Sequence, residues 1–337
     1  MATQSVPDSQ TLSVAHICSD KPLLIEGLVA QWPAVRKAQT SNNAFVDYIN
    51  QFYNERPTNI YRAPPEAKGR LAYTEDGSAL NFKVSPQRLD AFLDEILQGI
   101  GIEGAPTLYN SSSVLDTFYP GFNQDNPLDI PFQEAYGKQL HPIISIWMGN
   151  KTTASCHYDV LDNVACCVAG SRRFTLFPPE QVDNLYPGPL YPTPGGQVIS
   201  MVDFENPDFE KHPRFKEALK HGLVFDLKPG DAIFIPALWW HHVQGLADFN
   251  ALVNFWWNEA PAYLGRGMDS LEHAMLAIRD LPAAQKAAWK HMFDYYVFGD
   301  SEAVHSHLAD KAKGFLAPLD ENAARQLKAM LQNKLNR

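Results

Sequence analysis

The stretch that decides the fold is Ile143–Phe177, with the sequence IISIWMGNKTTASCHYDVLDNVACCVAGSRRFTLF. It contains short runs of β-branched, aromatic and other apolar residues, bounded by Gly, Pro, Asn or Asp, which is typical of strands separated by turns. The pattern continues to Trp257 and predicts strands at Ile143–Met148, Ser155–Tyr158, Val164–Val168, Arg173–Phe177, Leu223–Leu227, Ala232–Ile235, Trp239–Gln244 and Ala251–Trp257. Many short strands of this kind predict a sandwich, a jelly roll or a barrel.

The regions on either side of this zone are mixed or helical. Apolar spacing predicts strands at Pro22–Leu28 and Leu108–Val114, and helices at Asn43–Asn54, Ser85–Gly99 (beginning at Ser85-Pro86) and, as an insert, Asp208–Lys220. Three apolar stripes at helical spacing follow in residues 268–337. We therefore expect α/β elements packed on a barrel over 1–140, the barrel core over 141–260, and C-terminal helices over 261–337 that form a homodimer.

Composition is typical of a globular protein and excludes several functions. Hydrophobic residues make up 45% and charged residues 20% of the 337, and the net charge is −10. A negative chain is unsuited to sequence-independent binding of nucleic acid phosphates, and no apolar run approaches the roughly 20 residues of a membrane span. The N-terminus has no secretory pattern, and four cysteines form neither a disulfide framework nor a CxxC pair. We expect a cytoplasmic protein with no nucleic-acid or membrane partner.

Two candidate metal ligands lie in the segment His157-Tyr-Asp159. Side chains at i and i+2 of a strand point to the same face, so the His157 imidazole and the Asp159 carboxylate project together. A third ligand is available in Trp239-Trp-His-His242, where only one of His241 and His242 can point inward. The alternation of a strand does not decide which.

Two histidines and one carboxylate on one face of a metal leave coordination positions open, which is the arrangement of non-haem iron(II) oxygenases. A 2-oxo acid can occupy two of these positions and dioxygen a third. A closed tetrahedral zinc site would leave no such vacancy. The spacing therefore favours an iron(II) centre over structural zinc.

Residues from about 105 to 260 resemble the JmjC and cupin-like 2-oxoglutarate oxygenases, and in particular the branch that contains the asparaginyl hydroxylase that inhibits hypoxia-inducible factor. The resemblance is carried by motifs in the family's order: His157-Tyr-Asp159, Gly170-Ser-Arg-Arg-Phe-Thr-Leu-Phe-Pro-Pro179, Val202-Asp-Phe-Glu-Asn-Pro-Asp208, Gly230-Asp-Ala-Ile-Phe-Ile-Pro236, Trp239-Trp-His-His242 and Val253-Asn-Phe-Trp256. It implies a mainly β fold with flanking helices: a double-stranded β-helix (jelly roll, cupin/JmjC-like) with C-terminal helices.

The same resemblance assigns roles to single residues. It implies that the third metal ligand is His241, the histidine directly after the tryptophan, and that His242 is structural. It implies that Arg172 binds the distal carboxylate of 2-oxoglutarate, although Arg173 is adjacent and remains an alternative. Polar contacts to the co-substrate are expected from Tyr109, Asn163 and Asn254, and we expect Trp256 near the metal pocket.

The sequence also departs from the family pattern. The threonine expected three residues before the first ligand is Ala154, so we expect the neighbouring Thr153 to be the candidate in its place. The hydrophilic pair that helps to close over a peptide substrate is replaced by Val198 and Ile199. The first departure bears on a hydrogen bond to the co-substrate, and the second bears on the primary substrate.

The expected function is that of a dioxygenase that depends on iron(II) and 2-oxoglutarate and uses O2. It would hydroxylate a C–H bond of a protein side chain or a small molecule and release succinate and carbon dioxide. Two alternatives remain: an N-methyl-lysine demethylase with the same fold, and a metal-binding cupin that binds or senses a ligand without oxidation.

Overall fold

The computed structural model describes residues 11–336. The N-terminal segment in which no secretory pattern was found, residues 1–8, lies outside the described residues. The strands are β1 Leu23–Ile25, β2 Pro57–Ala63, β3 Arg70–Leu71, β4 Lys83–Arg88, β5 Thr107–Val114, β6 Ile143–Gly149, β7 Thr153–Tyr158, β8 Asp162–Ala169, β9 Arg172–Phe177, β10 Leu223–Leu227, β11 Ala232–Ile235, β12 Trp240–Gly245 and β13 Asn250–Trp257.

Helices occur before, between and after these strands along the sequence. The α-helices are α1 Val14–Ile17, α2 Pro33–Thr40, α3 Asn42–Asn50, α4 Leu89–Gly99, α5 Leu115–Phe118, α6 Phe122–Asp125, α7 Phe132–Tyr136, α8 Phe215–His221, α9 Gly267–Ile278, α10 Ala283–Tyr296, α11 Ser301–His305, α12 Asp310–Lys313 and α13 Glu321–Leu335. Short 3-10 helices lie at Pro65–Ala67, Pro179–Leu185 and Gly314–Leu316. In the described part of the chain, every helix is too short or too polar to cross a membrane.

The strands form two sheets. Within residues 11–336, one sheet has the order β1-β11-β8-β13-β6-β5-β2-β4 and the other the order β10-β9-β12-β7-β3. Neighbouring strands are antiparallel except for the short β3, which runs parallel to β7. One apolar cluster takes its side chains from both sheets, with Cys167 and Ile233 on the first and Phe174 and Phe225 on the second. The core of a jelly roll lies between its sheets, and the predicted fold class is confirmed.

A second and larger core lies on the other face of the longer sheet. It joins β6, β8 and β13 to the N-terminal helices through residues such as Phe45, Phe92 and Val253, all fully buried. The N-terminal region also supplies β1, β2, β4 and β5 to this sheet. The described part of the N-terminal region, residues 11–140, therefore supplies strands to the sheet as well as helices packed against it.

The helix predicted over Ser85–Gly99 is wrong at its beginning. Ser85 and Pro86 lie on β4, where they pair with Ile60 and Asn59 of β2, and the helix begins at Leu89. Because β4 is an edge strand, no strand among the described residues lies on its outer side that would need a hydrogen bond from the missing proline N–H. The apolar spacing from Leu89 onward identified α4 correctly, but a Ser-Pro pair fits an edge strand as well as a helix N-terminus.

Residues Glu259–Arg337 form a second compact unit, separate from Met1–Asn258. It contains α9 to α13, and α9 and α10 bury none of their residues fully. Within this unit the Tyr263 hydroxyl donates a hydrogen bond to the Leu319 carbonyl oxygen at 2.7 Å. Large apolar side chains are exposed here, including Leu276, Trp289, Met292 and Phe298.

Candidate metal centre

Three predicted ligands converge because of how β7 pairs with β12. His157 and His241 lie directly opposite each other in this antiparallel pair, and their ring centroids are 4.3 Å apart. Asp159 follows two residues after His157, and its Oδ2 lies 3.6 Å from the Nε2 of His241. One ligand atom from each of these three residues lies within 4.8 Å of the others. The site is thus formed by one cross-strand pair and one i+2 neighbour.

Backbone carbonyl groups set the orientation of both imidazoles. The Nδ1 of His157 lies 2.8 Å from the carbonyl oxygen of Ser155. The Nδ1 of His241 lies 3.0 Å from the carbonyl oxygen of Trp239. A carbonyl oxygen only accepts hydrogen bonds, so each Nδ1 must donate. The lone pair of each neutral ring is then on Nε2, the atom that faces the other ligands. Such tautomer-fixing contacts are typical of metal-binding histidines.

The environment keeps His241 neutral. Burial lowers the pKa of His241 to about 4, with a further contribution from His157, while the charge of Asp159 opposes the shift. A metal ligand must offer a deprotonated nitrogen, so an imidazole that resists protonation suits this role. These three donors therefore fit a divalent metal with positions left open.

The turn before β12 delivers His241 to the site. Leu238 adopts the left-handed region with φ of +66°, and its N–H donates to the Asp159 carbonyl oxygen at 2.7 Å. The Ala237 N–H donates to the Asp162 carboxylate at 2.9 Å. This turn is therefore tied to the segment that carries the first two ligands.

His157, Asp159 and His241, here called the metal-ligand cluster, lie in a cavity of about 510 Å³. The cavity is lined by Tyr61, Leu71, Tyr109, Ser111, Ser112, Trp147, Ala154, Ser155, His157, Asp159, Val160, Leu161, Asn163, Ala165, Arg172, Phe174, Pro194, Gly195, Gln197, Ile199, His241, Val243, Leu252, Asn254 and Trp256. All the predicted site residues except Thr153 are among them. Thr153 lies opposite Gln244 and beside Arg70, and Ala154 and Ser155 line the cavity in its place.

The two neighbouring arginines have different surroundings. Arg172 is 3% exposed, lines the cavity and donates from Nη2 to the Trp147 carbonyl oxygen at 3.2 Å, while its Nε has no partner among the described residues. Arg173 lies on the outer face, where Nε is 2.7 Å from an Asp226 carboxylate oxygen. Strand alternation separates them. The sequence alone did not indicate which one faces inward.

The polar residues expected near the co-substrate form a connected group in the cavity wall. Asn254 accepts a hydrogen bond from Trp147 Nε1 at 2.7 Å, and its own amide donates to Asn163 Oδ1 at 3.4 Å. Burial raises the pKa of the Tyr109 hydroxyl, and the nearby Arg172 guanidinium partly offsets this shift. Tyr109 therefore stays protonated at neutral pH and can donate a hydrogen bond.

His242 points away from the metal-ligand cluster. Its Nε2 lies 3.0 Å from Glu205 Oε1, and its ring stacks on Phe204 at 4.4 Å between centroids. The same Glu205 oxygen accepts from Gln244 Nε2 at 2.9 Å. Burial alone would raise the pKa of Glu205, but hydrogen bonding and charge from His242 lower it. This partnership, 37 residues apart in sequence, was not predicted.

Comparison with known proteins is consistent with this geometry. A family described as "Cupin-like domain" matches residues 9–263. Lysine-specific demethylase 8 of Xenopus tropicalis is 26% identical over 246 residues, which is 72% of this chain and 49% of that protein. Lysine-specific demethylase JMJ31 of Arabidopsis thaliana is 37% identical over 34% of this chain and 20% of its own length.

A third relative, the tRNA wybutosine-synthesizing protein 5 of Gallus gallus, is 32% identical over 37% of this chain and 41% of its own length. The chain thus spans less than half the length of each of these curated relatives. They support the JmjC and cupin-like resemblance, whereas the finer likeness to the asparaginyl hydroxylase stays a prediction. Since the family match covers most of the sequence, the chain belongs to the Cupin-like domain family.

Proposed function

We propose that this protein is an iron(II)- and 2-oxoglutarate-dependent dioxygenase that hydroxylates a C–H bond. The observation that carries the proposal is the combination, in one cavity, of the His157, Asp159 and His241 cluster with the unpaired cation of Arg172. Two imidazoles and one carboxylate with open positions suit iron(II). A buried cation without a carboxylate partner suits an anionic ligand, because an unpaired buried charge is costly.

In this proposal the three clustered side chains are the metal ligands. His157, Asp159 and His241 would hold iron(II) through two Nε2 atoms and one carboxylate oxygen. When bound, the metal supplies the open positions and redox chemistry through which 2-oxoglutarate and O2 become succinate and CO2 while a C–H bond becomes C–OH.

The co-substrate would be oriented by the cavity wall. The Arg172 guanidinium would bind the distal carboxylate of 2-oxoglutarate, since arginine can present two parallel N–H donors to a carboxylate. Tyr109, close to Arg172, would add a neutral hydroxyl donor. Asn163, Asn254 and Trp256 would complete the polar and aromatic surroundings. Thr153 is not used, because it does not line the cavity.

The proposal is tested by succinate formation. Purified protein with iron(II), 2-oxoglutarate and O2 is expected to release succinate slowly without a primary substrate and faster with one. Asp159→Ala should reduce the rate to the level of buffer with iron alone. Equal succinate formation by the wild type and Asp159→Ala would contradict the proposal.

A second candidate, N-methyl-lysine demethylation, is favoured by two relatives that are named lysine-specific demethylases. Hydroxylation of an N-methyl group releases formaldehyde, whereas hydroxylation of a carbon chain leaves a stable product heavier by one oxygen atom. Mass spectrometry of methyl-lysine peptides and a formaldehyde assay distinguish the two. The third alternative, a cupin without oxidation, predicts no succinate, no formaldehyde and no product heavier by one oxygen atom.

The homodimer and the cytoplasmic location stay predictions. The exposed apolar side chains of α9 and α10, such as Leu276, Trp289 and Met292, support self-association, because soluble monomers rarely expose large apolar patches. Sedimentation of wild-type protein should give twice the 37.7 kDa chain mass. Met292→Lys should shift it to the chain mass, and an unchanged value would contradict dimerisation through these helices.

A further inference from the structure

Strand β5 carries four consecutive polar residues where it passes the cavity: Asn110, Ser111, Ser112 and Ser113. Asn110 lies opposite Met148 of β6 and Ser113 lies opposite Ile146, so Ser111 and Ser112 share a single opposing residue, Trp147. This is a β-bulge, with one extra residue on β5. Bulges often lie beside active sites, where they change the direction of a side chain.

The backbone at the bulge has an unusual conformation. Ser112 has φ of +47°, in the left-handed region that L-residues other than Asn and Asp seldom adopt. As a result both Ser111 and Ser112 line the cavity, although strict alternation would turn one of them away. The Ser112 hydroxyl lies 3.4 Å from that of Ser145, a distance that leaves hydrogen-bonding capacity for another partner.

The residues that flank the bulge indicate that the polar run does not serve the packing of the sheet. Asn110 and Ser113 are fully buried, and their side-chain polar atoms have no partner among the described residues. Their register partners Met148 and Ile146 belong to the large apolar core. Buried unsatisfied groups are destabilising, and such conflicts between local chemistry and fold concentrate at functional sites.

The rest of the cavity is uncharged. Of the lining residues named above, all within the described part of the chain, only Asp159 and Arg172 carry a formal charge when the histidines are neutral. The proposed function uses both of them, one on the metal and one on the co-substrate. A cationic or anionic group of a primary substrate would therefore enter without a counter-charge, which is costly in a confined site.

We infer that the Ser111–Ser112 bulge is the element that recognises the primary substrate, and that the group it recognises is uncharged and forms hydrogen bonds, as an amide or a hydroxyl does. This inference rests on the proposed function and narrows its substrate class. It disfavours the cation of a methylated lysine as the group held beside the metal.

The experiment uses the full chain loaded with Mn(II) and 2-oxoglutarate, and three matched probes: N-acetylglutamine methylamide, which is neutral, N-acetyltrimethyllysine methylamide, a cation, and N-acetylglutamate methylamide, an anion. Paramagnetic broadening of the probe's NMR lines reports its proximity to Mn(II). The Asp159→Ala variant supplies the background from metal bound elsewhere. We expect broadening above this background for the neutral probe only.

Serine variants test the role of the bulge. Ser111→Ala and Ser112→Gly should each weaken the neutral probe's apparent affinity about fivefold, the usual effect of one lost hydrogen bond. Glycine suits the left-handed conformation at position 112, so that variant should fold, which circular dichroism would verify. Ser270→Ala, on the exposed surface of α9, is the control and should match the wild type.

In wild-type protein that forms succinate, three results would overturn the inference: preference for either charged probe, no broadening above background for any probe, or equal affinity of the neutral probe in the serine variants and wild type. These outcomes are separable from failure of the proposed function. Wild-type protein that forms succinate but prefers a charged probe retains the proposed activity and loses only the substrate class.

Discussion

The two faces of the five-stranded sheet each carry an arginine and a histidine, but the partners of these residues differ. The inner face lines the cavity, and the outer face points away from it. On the inner face, His241 lies near the carboxylate of Asp159, and Arg172 has no carboxylate partner among the described residues. On the outer face, Arg173 pairs with Asp226, and His242 pairs with Glu205. The outer charges are satisfied within the chain. In the proposed function, the inner groups hold a metal and an anion that the chain does not supply, and this difference distinguishes the two faces.

The largest effect is expected from removing an inner ligand. Asp159→Ala should lower the rate of succinate formation to the level of buffer with iron alone, because a two-histidine site loses the anionic ligand that offsets the metal charge. The matched outer change, Asp226→Ala, should leave the rate within about twofold, since an exposed ion pair contributes only ~0–1 kcal/mol. Equal losses in both variants would remove the distinction between the faces.

Replacing the inner arginine should have the next largest effect. Arg172→Gln is expected to raise the KM for 2-oxoglutarate about 30-fold or more, since truncating one partner of a buried charge pair costs ~2–5 kcal/mol. Arg172→Lys should recover part of this loss, because it restores the charge but not the paired N–H donors. Steady-state kinetics with varied 2-oxoglutarate would measure both variants.

Arg173→Gln is the control for that prediction. Arg173 is half exposed and faces away from the cavity, so its loss should change the KM for 2-oxoglutarate by less than about twofold. If Arg173→Gln gave the larger rise in KM, the assignment of the distal carboxylate would be wrong.

The contact between His242 and Glu205 on the outer face should affect stability rather than catalysis. Glu205→Ala removes the acceptor of hydrogen bonds from His242 and Gln244. The Nε2 of the buried His242 then loses its hydrogen-bond partner. The free energy of unfolding should fall by ~1–3 kcal/mol, as measured by urea denaturation. The KM for 2-oxoglutarate should stay within about threefold; a rise comparable to that of Arg172→Gln would show that the faces are not separable.

The smallest effect is expected at the outer arginine pair. Because the Arg173 and Asp226 side chains are both about half exposed, either single replacement should lower the free energy of unfolding by less than ~1 kcal/mol. Salt screens such exposed pairs, so 1 M NaCl should reduce even this difference. A larger loss that persists in high salt would contradict the weak role given to the outer charges.

Much of this comparison was predictable from sequence because strand periodicity is a local property. The pattern from Ile143 to Trp257 predicted most strands of the two sheets, and the spacing of His157 and Asp159 predicted that they share a face. Alternation also predicted that only one residue of each adjacent pair faces inward. It could not tell which, because that choice depends on how β9 and β12 pair with their neighbouring strands, through contacts between residues distant in sequence.

The features missed are those that local patterns do not encode. The β5 bulge breaks alternation at Ser111 and Ser112 through pairing with β6, and a run of three serines suggests a loop as readily as a strand. The Ser85-Pro86 pair had two interpretations, and only the pairing of β4 with β2 decides between them. Thr153 was chosen for its nearness to Ala154 in sequence, but it lies at the beginning of β7, opposite Gln244 and outside the cavity lining. Its contact with the co-substrate stays a prediction.

One spectroscopic titration tests the central claim most directly. Under anaerobic conditions, iron(II) and then 2-oxoglutarate are added to the wild type, Asp159→Ala, Arg172→Gln and Arg173→Gln, and the weak visible charge-transfer band of a chelated 2-oxo acid is recorded. We predict a saturable band for the wild type and Arg173→Gln, weaker 2-oxoglutarate affinity for Arg172→Gln, and no band for Asp159→Ala. No band in the wild type, or the same band in Asp159→Ala, would contradict an iron(II) site formed by these three side chains.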